Sequence, residues 1–341
     1  MANMGAHRAL GTTGLEVSPL CLGTMQLGWT IPDEDDCFAL LDAFVEAGGN
    51  FIDTANMYGP DQNLQSFAKG GERVGVTERI IGKWMKARGN RNDMVVATKF
   101  RARMWDGPDG EGLSRAHIER AAEDSLERLQ VDAIDIYLAH FPQFFDEVPL
   151  DETMSTLGDL VAAGKVKTIG SSNFPGPLME AYKAAAETVG SPQWSSVQPR
   201  YNLVNRAEYE ADLMEFCVNE NVACFPFSPL GGGFLTGKYT RDGQVTDSVR
   251  AGFCGQYLND QGFDVLDVLS DVAAAHGCSV AEAAIAWALH QPQVVSATVG
   301  ANSPEQLSAQ LKGGTVALDA DQLTRLDEVS WQDSAPEFTS W

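Results

Sequence analysis

Val95-Val96-Ala97-Thr98-Lys99, then Ser114 to Leu129, then Ile134-Asp135-Ile136-Tyr137-Leu138-Ala139-His140: this stretch decides the fold. A short β-branched run is followed by a helix-length amphipathic segment, with Ser114 as N-cap candidate, and then by a second run. Two such strands joined by a helix run parallel in one sheet, with the helix covering a face. Working outward in both directions, the same rhythm repeats. Strand-like runs occur at Leu20–Gly23, Asn50–Asp53, Val95–Lys99, Ile134–His140, Thr168–Ser171, Ser196–Gln198, Ala223–Phe227 and Ser296–Gly300.

Helical patterns fill the gaps. They are predicted at Asp33–Ala47, Glu78–Arg88, Ser114–Leu129, Leu150–Ala163, Pro177–Thr188, Glu208–Asn219, Ala281–His290, Ser303–Leu311 and Asp319–Val329. Arg8–Leu10 and Leu15–Val17 flank Gly11-Thr12-Thr13-Gly14 and read as a small hairpin. Eight strands, each followed by a helix, close most simply into a barrel. A doubly wound sheet is the alternative, but it usually carries G-x-G-x-x-G after an early strand. Here the first strand leads into Gly23-Thr24-Met25-Gln26-Leu27-Gly28, which lacks that spacing. The prediction is an α/β fold: a single (β/α)8 TIM barrel over residues 1–341, with its core at about 8–330. An N-terminal β-hairpin and a C-terminal extra helix complete it. Arg101–Gly112 and Tyr239–Gly262 are weakly patterned and are expected to be loops at the catalytic mouth.

The chain has 341 residues, of which 44% are apolar, enough to bury a sizeable core. Lys plus Arg is 24 and Asp plus Glu is 47, giving a net charge of −23. Such a field repels phosphate backbones and anionic lipid, so neither nucleic acid nor a membrane surface is an expected partner. The acidity suits a salt-rich cytoplasm or a solubility need. No run approaches the ~20 apolar residues of a membrane span, and Met1–Leu10 has no apolar signal-peptide core. The six cysteines include no C-x-x-C pair and mostly sit in apolar runs, as buried thiols of a reducing cytoplasm do.

Active sites of such barrels lie at the C-terminal ends of the strands. Strand two ends at Asp53 and is followed by Tyr58; strand three ends at Lys99 and strand four at His140. A carboxylate, a phenol, an ammonium and an imidazole thus converge on one mouth. The chemistry is coherent. A phenol is a poor acid near neutral pH, and a neighbouring Lys99 cation favours its phenolate. Asp53 would hold Lys99 charged and in place. His140 could polarise a carbonyl oxygen, which Tyr58 then protonates. No metal is expected, since His140 has no histidine partner on the same element. Gly232-x-x-x-x-Gly237-Lys238 is close to a P-loop, but Tyr239 stands where Ser or Thr would bind magnesium.

These residues also carry a resemblance. Asp53-Thr54-Ala55-Asn56-Met57-Tyr58-Gly59, Ala97-Thr98-Lys99 and Leu138-Ala139-His140 resemble the tetrad motifs of the aldo-keto reductases. The likeness continues through Ile169–Phe174, Val197–Asn202 and Phe227–Lys238, in family order. The branch is that of the bacterial enzymes and the potassium-channel β subunits. The resemblance implies an NAD(P)H-dependent carbonyl reductase or alcohol dehydrogenase acting on an aldehyde, ketone or sugar. A regulatory nucleotide-binding subunit with little turnover is the alternative. Small molecules are the implied partners, and homo-oligomerisation is left open.

It further implies roles for single residues. Ser172, Asn173 and Gln198 would hold the nicotinamide carboxamide, and Phe227 would stack on the ring. Ser228, Pro229, Leu230 and Gly232 would cradle the pyrophosphate. Gly23, Thr24, Met25 and Asp53 join the cofactor set, with Gly300, Gln306 and Gln310 along the adenosine half. NADPH is the expected cofactor, with NADH as the other possibility. The segment after strand eight, Gly300-Ala301-Asn302-Ser303, has no cation. Ser303 and Gln306 could instead bond a 2′-phosphate, and Lys238 and Arg250 match cations that fold over the phosphates in the channel-subunit branch. Trp29, Trp105 and Phe141, with Phe144 and Phe145, are candidate substrate contacts around the mouth.

Overall fold

The computed structural model describes residues 3–60, 74–142, 148–241 and 254–331. Strands β1 (Arg8–Ala9) and β2 (Glu16–Val17) pair antiparallel as the expected hairpin. Eight parallel strands follow: β3 (Leu20–Gly23), β4 (Phe51–Asp53), β5 (Val95–Phe100), β6 (Ile134–Ala139), β7 (Val166–Ser172), β8 (Ser196–Gln198), β9 (Ala223–Cys224) and β10 (Ala297–Val299). Their order is β10-β3-β4-β5-β6-β7-β8-β9. Bridges Cys224↔Val294 and Phe227↔Thr298 join the last strand to the first in that order. Val295 N–H donates to the Cys224 carbonyl at 2.9 Å, and Thr298 N–H to that of Pro226 at 2.9 Å. The ring is therefore closed, and the fold is the (β/α)8 barrel that the strand–helix rhythm predicts.

Alternation along the strands makes two cores. Cys21, Phe51, Ala97, Ile136, Leu138 and Phe225 fill the barrel, and Leu10 and Val17 of the hairpin plug its N-terminal end. Their neighbours in sequence, such as Leu22, Ile52 and Val96, face outward under the helices. The helices begin where polar side chains cap them. Asp33 accepts from the amides of Asp35 and Asp36 to start α1 (Glu34–Glu46), whose acidic first turn complements the helix dipole. α2 (Val76–Arg88) and α3 (Arg115–Leu129, capped by Ser114) follow strands β4 and β5. α4 (Leu150–Ala162) and α5 (Gly176–Val189) follow β6 and β7.

Three differences from the sequence expectation concern elements rather than boundaries. The predicted Glu208–Asn219 helix is two pieces, α6 (Ala207–Glu210) and α7 (Leu213–Glu220). Asp212 breaks it by leaving helical geometry, and its carboxylate accepts from Gly176 N–H at 2.8 Å. A long helix, α8 (Asp260–His276), stands where none was expected. Asn259 caps it, and Val265, Leu266, Leu269 and Val272 are its buried face. α9 (Val280–Leu289) follows, opened by a Ser279–Glu282 capping box. The predicted Ser303–Leu311 helix is only α10 (Pro304–Ser308) before a tighter turn at Leu311–Gly314. The extra C-terminal helix is present as α11 (Ala320–Ser330), tied down by Trp287 Nε1–H donating to Asp327 at 2.9 Å. No single helix among the described residues is long and apolar enough to cross a membrane.

α2 and α3 approach so closely that Gly82 has no room for a side chain. A Cβ there would lie 2.4 Å from the Arg128 carbonyl oxygen and 2.7 Å from the Leu129 carbonyl carbon. Gly82→Ala should therefore lower the urea midpoint, by about 1–3 kcal/mol of overpacking. Helix propensity alone would stabilise by ~1 kcal/mol. A raised midpoint would show that the two backbones are not in contact.

Candidate active site

The strand ends converge as expected. Asp53 ends β4, Lys99 sits near the end of β5, His140 follows β6, Ser172 ends β7 and Gln198 ends β8. Lys99 Nζ lies 2.6 Å from Asp53 Oδ1, and both side chains are nearly inaccessible, 1% and 6% exposed. The ammonium also donates to the Thr54 carbonyl at 2.9 Å. Gln198 Nε2–H donates to the same Asp53 oxygen at 2.8 Å. The Tyr58 ring centroid is 5.3 Å from Lys99 Nζ. Its ring stands edge-on to His140, 6.0 Å between centroids at 79°. Phe141 stacks flat on His140, at 4.4 Å and 10°.

The charges follow from this packing. Burial by itself would lower the Lys99 pKa, but the Asp53 carboxylate and the Tyr58 phenol outweigh it and the net shift is upward. Lys99 is a cation at neutral pH. His140 goes the other way: burial first, then the cations of Lys99 and Arg101, push it well below the ordinary imidazole range. It is neutral at pH 7, with one ring nitrogen as donor and one as acceptor. Its Nδ1 has no hydrogen-bond partner among the described residues. Arg101, one residue beyond β5, holds a positive φ of 100°, a conformation that costs free energy in a non-glycine residue.

Above this group opens a cleft of ≈ 990 Å³, at the upper end of the size of small-molecule and cofactor sites. Asp53, Tyr58 and His140 line it, whereas Lys99 lies buried beneath. Every expected cofactor residue but two lines the same cleft. The exceptions are Ser303 and Arg250. Ser303 is outside the lining and uses its hydroxyl to cap α10 by accepting from Gln306 N–H. Arg250 lies outside the described residues. Of the substrate candidates, Trp29 lines the cleft, and Phe141 sits behind His140. Trp105 does not line it. It stacks on His117 at 5.0 Å, with the Arg120 guanidinium 4.0 Å from the Trp105 ring centroid, in a separate hollow between α2 and α3. Phe144 and Phe145 lie outside the described residues.

Two local features suit a nicotinamide dinucleotide. Asn173, at φ +62°, donates to the His140 carbonyl at 2.9 Å and to Ser172 Oγ at 3.1 Å. Its Oδ1 is buried with no hydrogen-bond partner among the described residues, an acceptor waiting for an amide N–H. Further along, Gly231, Gly232 and Gly233 have consecutive φ values of +57°, +69° and +104°. Only glycine takes this path readily, and it turns the chain tightly beneath Lys238, whose Nζ is 3.4 Å from where a Gly233 Cβ would sit. An ammonium over a half-buried glycine turn that lines the cleft fits a diphosphate. Sequence reasoning missed Arg200 and the Thr30–Asn302 pair, all of which line the cleft. Thr30 Oγ1–H donates to Asn302 Oδ1 at 2.7 Å, joining the loops after β3 and β10. The available signal for Arg200 was its place two residues after Gln198, on the same face.

The Aldo/keto reductase family profile matches residues 19–330. The chain belongs to this family. Among its relatives is the "Uncharacterized oxidoreductase YrpG" of Bacillus subtilis, 34% identical over 94% of each chain. "Protein tas" of Escherichia coli is 31% identical over 96% of this chain and 97% of its own. An "Aryl-alcohol dehydrogenase [NADP(+)]" of Phanerodontia chrysosporium is 31% identical, over 95% and 86%. This aldo/keto reductase is an NAD(P)-dependent oxidoreductase.

The buried neutral imidazole has a consequence for stability. Below about pH 6.5 the unfolded reductase takes up a proton at His140, while the folded form does not until well below that. The unfolded state then binds more protons, so stability is lost as pH falls below 6.5 and is unaffected above it. Urea midpoints of wild type and His140→Gln between pH 5 and 7.5 should diverge only on the acid side. The wild type should be steeper there by up to about 1.4 kcal/mol per pH unit. His117, which burial also lowers, is common to both and cancels. Parallel curves would mean that folding does not shift the His140 pKa, and a wild type that gains stability on the acid side would mean that His140 is charged in the fold.

Proposed function

We propose that this reductase interconverts an aldehyde or ketone and its alcohol, with Tyr58 as the general acid and base and NADPH as the preferred cofactor. The observation that carries the reading is the buried Lys99–Asp53 pair with the Tyr58 ring 5.3 Å from the ammonium and His140 beside it. Bound reduced nicotinamide would supply the hydride. The chain supplies the rest. The substrate carbonyl oxygen would sit between Tyr58 and His140, each able to donate to it. Negative charge growing on that oxygen draws the phenolic proton, and Lys99 stabilises the phenolate left behind. In the oxidative direction the phenolate takes the proton back. Asp53 keeps Lys99 charged, and Gln198 and Thr54 fix the two so that no reorganisation is needed during the step.

Ser172, Asn173 and Gln198 would orient the carboxamide and so choose the ring face, with Phe227 against the ring. Lys238 beside the glycine turn supports phosphate binding, and the name of the Phanerodontia chrysosporium relative supports NADP over NAD. That same name, with Trp29 in the lining and Phe141 against His140, favours an aromatic carbonyl compound as substrate. All six cysteines are free thiols, which supports a reducing compartment such as the cytoplasm.

Tyr58→Phe should reduce turnover by about 10²–10⁴-fold, the usual loss for a positioned general acid. NADPH affinity, measured by fluorescence titration, should be unchanged, since the cofactor groups are separate residues. Wild-type turnover in this variant would remove Tyr58 from the mechanism. Lys99→Met should abolish activity or raise the apparent pKa in the pH–rate profile. A substantial activity with an unchanged profile would break the coupling of Asp53, Lys99 and Tyr58.

A further inference from the structure

Among the described lining residues of the cleft, two carry a full positive charge: Lys238 and Arg200. Lys238 is the cation that the glycine turn presents. Arg200 has a different setting. It follows β8 two residues after Gln198, and it bridges Phe227 on the neighbouring strand segment. Asn202, just beyond, donates to the Ser228 carbonyl at 2.9 Å. Arg200 therefore stands one strand away from the Phe227–Leu230 segment, where the ring site passes into the phosphate site.

Its guanidinium is paired within the protein. Nε donates to Glu208 Oε1 at 3.1 Å, and a second guanidine nitrogen contacts the same oxygen. Asn205 Nδ2 also donates to that oxygen, at 3.3 Å. Three donors thus crowd one carboxylate oxygen, instead of the two parallel bonds of a forked arginine–carboxylate pair. Both side chains are mostly covered, 15% and 20% exposed. In a chain with a net charge of −23, the Glu208 carboxylate behind this cleft-lining arginine opposes an incoming anion unless its field is neutralised.

We propose that Arg200 is a cofactor-binding residue held in reserve by Glu208. When a dinucleotide enters, the guanidinium exchanges the Glu208 carboxylate for the diphosphate, and Asn205 remains as a donor to Glu208. This rests on the cofactor reading above and adds to it a counter-ion exchange. One ion pair replaces another, so the arginine stays neutralised in both states, while Glu208 competes with the cofactor and speeds its departure. Lid and release steps limit many such enzymes, and the strength of the Arg200–Glu208 pair would set that step here.

The two halves of the pair then have opposite effects on affinity, which a merely structural salt bridge does not produce. The test is fluorescence titration of wild type, Arg200→Gln, Arg200→Lys and Glu208→Gln with NADPH and with NADH, with urea midpoints as a folding check. Arg200→Gln should weaken both dinucleotides by the same factor, roughly 10-fold or more for a lost charge-assisted contact. Arg200→Lys should recover part of that loss. Glu208→Gln should tighten both several-fold and slow NADP⁺ release in stopped flow. Weakening of NADPH alone would assign Arg200 to the 2′-phosphate and overturn the proposal. So would an unchanged dissociation constant in Arg200→Gln, or a Glu208→Gln variant that binds as weakly as Arg200→Gln. Failure of the wild type to bind either dinucleotide would instead remove the cofactor reading beneath it.

Discussion

The ion pair of Lys99 and Asp53 is the constraint around which the rest of the site is arranged. Each charge alone would lose several kcal/mol of hydration in so buried a position. Each is tolerated because the other is 2.6 Å away and because the remaining bonding capacity is used. The Thr54 carbonyl accepts a second hydrogen bond from the ammonium, and Gln198 donates to the carboxylate. The pair is thus a four-part network linking β4, β5 and β8 across the barrel mouth. A network satisfied in this way holds its geometry, because any displacement strands a charge in a medium of low polarity. That rigidity fixes where a positive charge stands beneath Tyr58, and this charge adds to the burial that keeps His140 neutral.

Closure of the strand ring is what makes this network possible. Strand ends placed on an open sheet would spread out along a line, and Asp53 and Gln198 would be several strands apart. In the closed ring they face each other across the interior. The two aliphatic layers seen here, one inside the ring and one under the helices, keep water from both faces of the strands. The N-terminal hairpin seals the end away from the chemistry, so the cleft opens only at the C-terminal end of the strands. Function then falls to the loops on that side, consistent with where the glycine turn, Lys238, Arg200 and the Thr30–Asn302 link are found.

Some of the sequence expectation failed for identifiable reasons. Helix α8 was legible in principle: Val265, Leu266, Leu269, Val272 and Ala273 recur at helical spacing and are buried. The valines and the preceding unpatterned stretch masked a signal that was present. The break between α6 and α7 was not legible, because it arises from a bond between Asp212 and the distant Gly176 amide. Trp105 could not be separated from Trp29 by sequence either. Both follow strands of the barrel, but the path of the Arg101–Gly112 loop carries Trp105 away to the outer hollow, against His117 and Arg120.

By itself the sequence determined the alternation of strand and helix, the caps that start the helices, and the identity of the residues at the strand ends. These follow from local periodicity, which survives without knowing how the chain is folded. It therefore sufficed to name Asp53, Tyr58, Lys99 and His140 as candidates on one mouth. Only the tertiary structure decided which groups touch. The Lys99–Asp53 bond spans 46 residues of chain and the Gln198–Asp53 bond 145. It also decided the direction of the His140 shift and the pairing of Arg200 with Glu208. Distances of a few ångströms set those electrostatic energies, and they depend on strand tilt, ring closure and loop path, none of which is written in any local window of the chain.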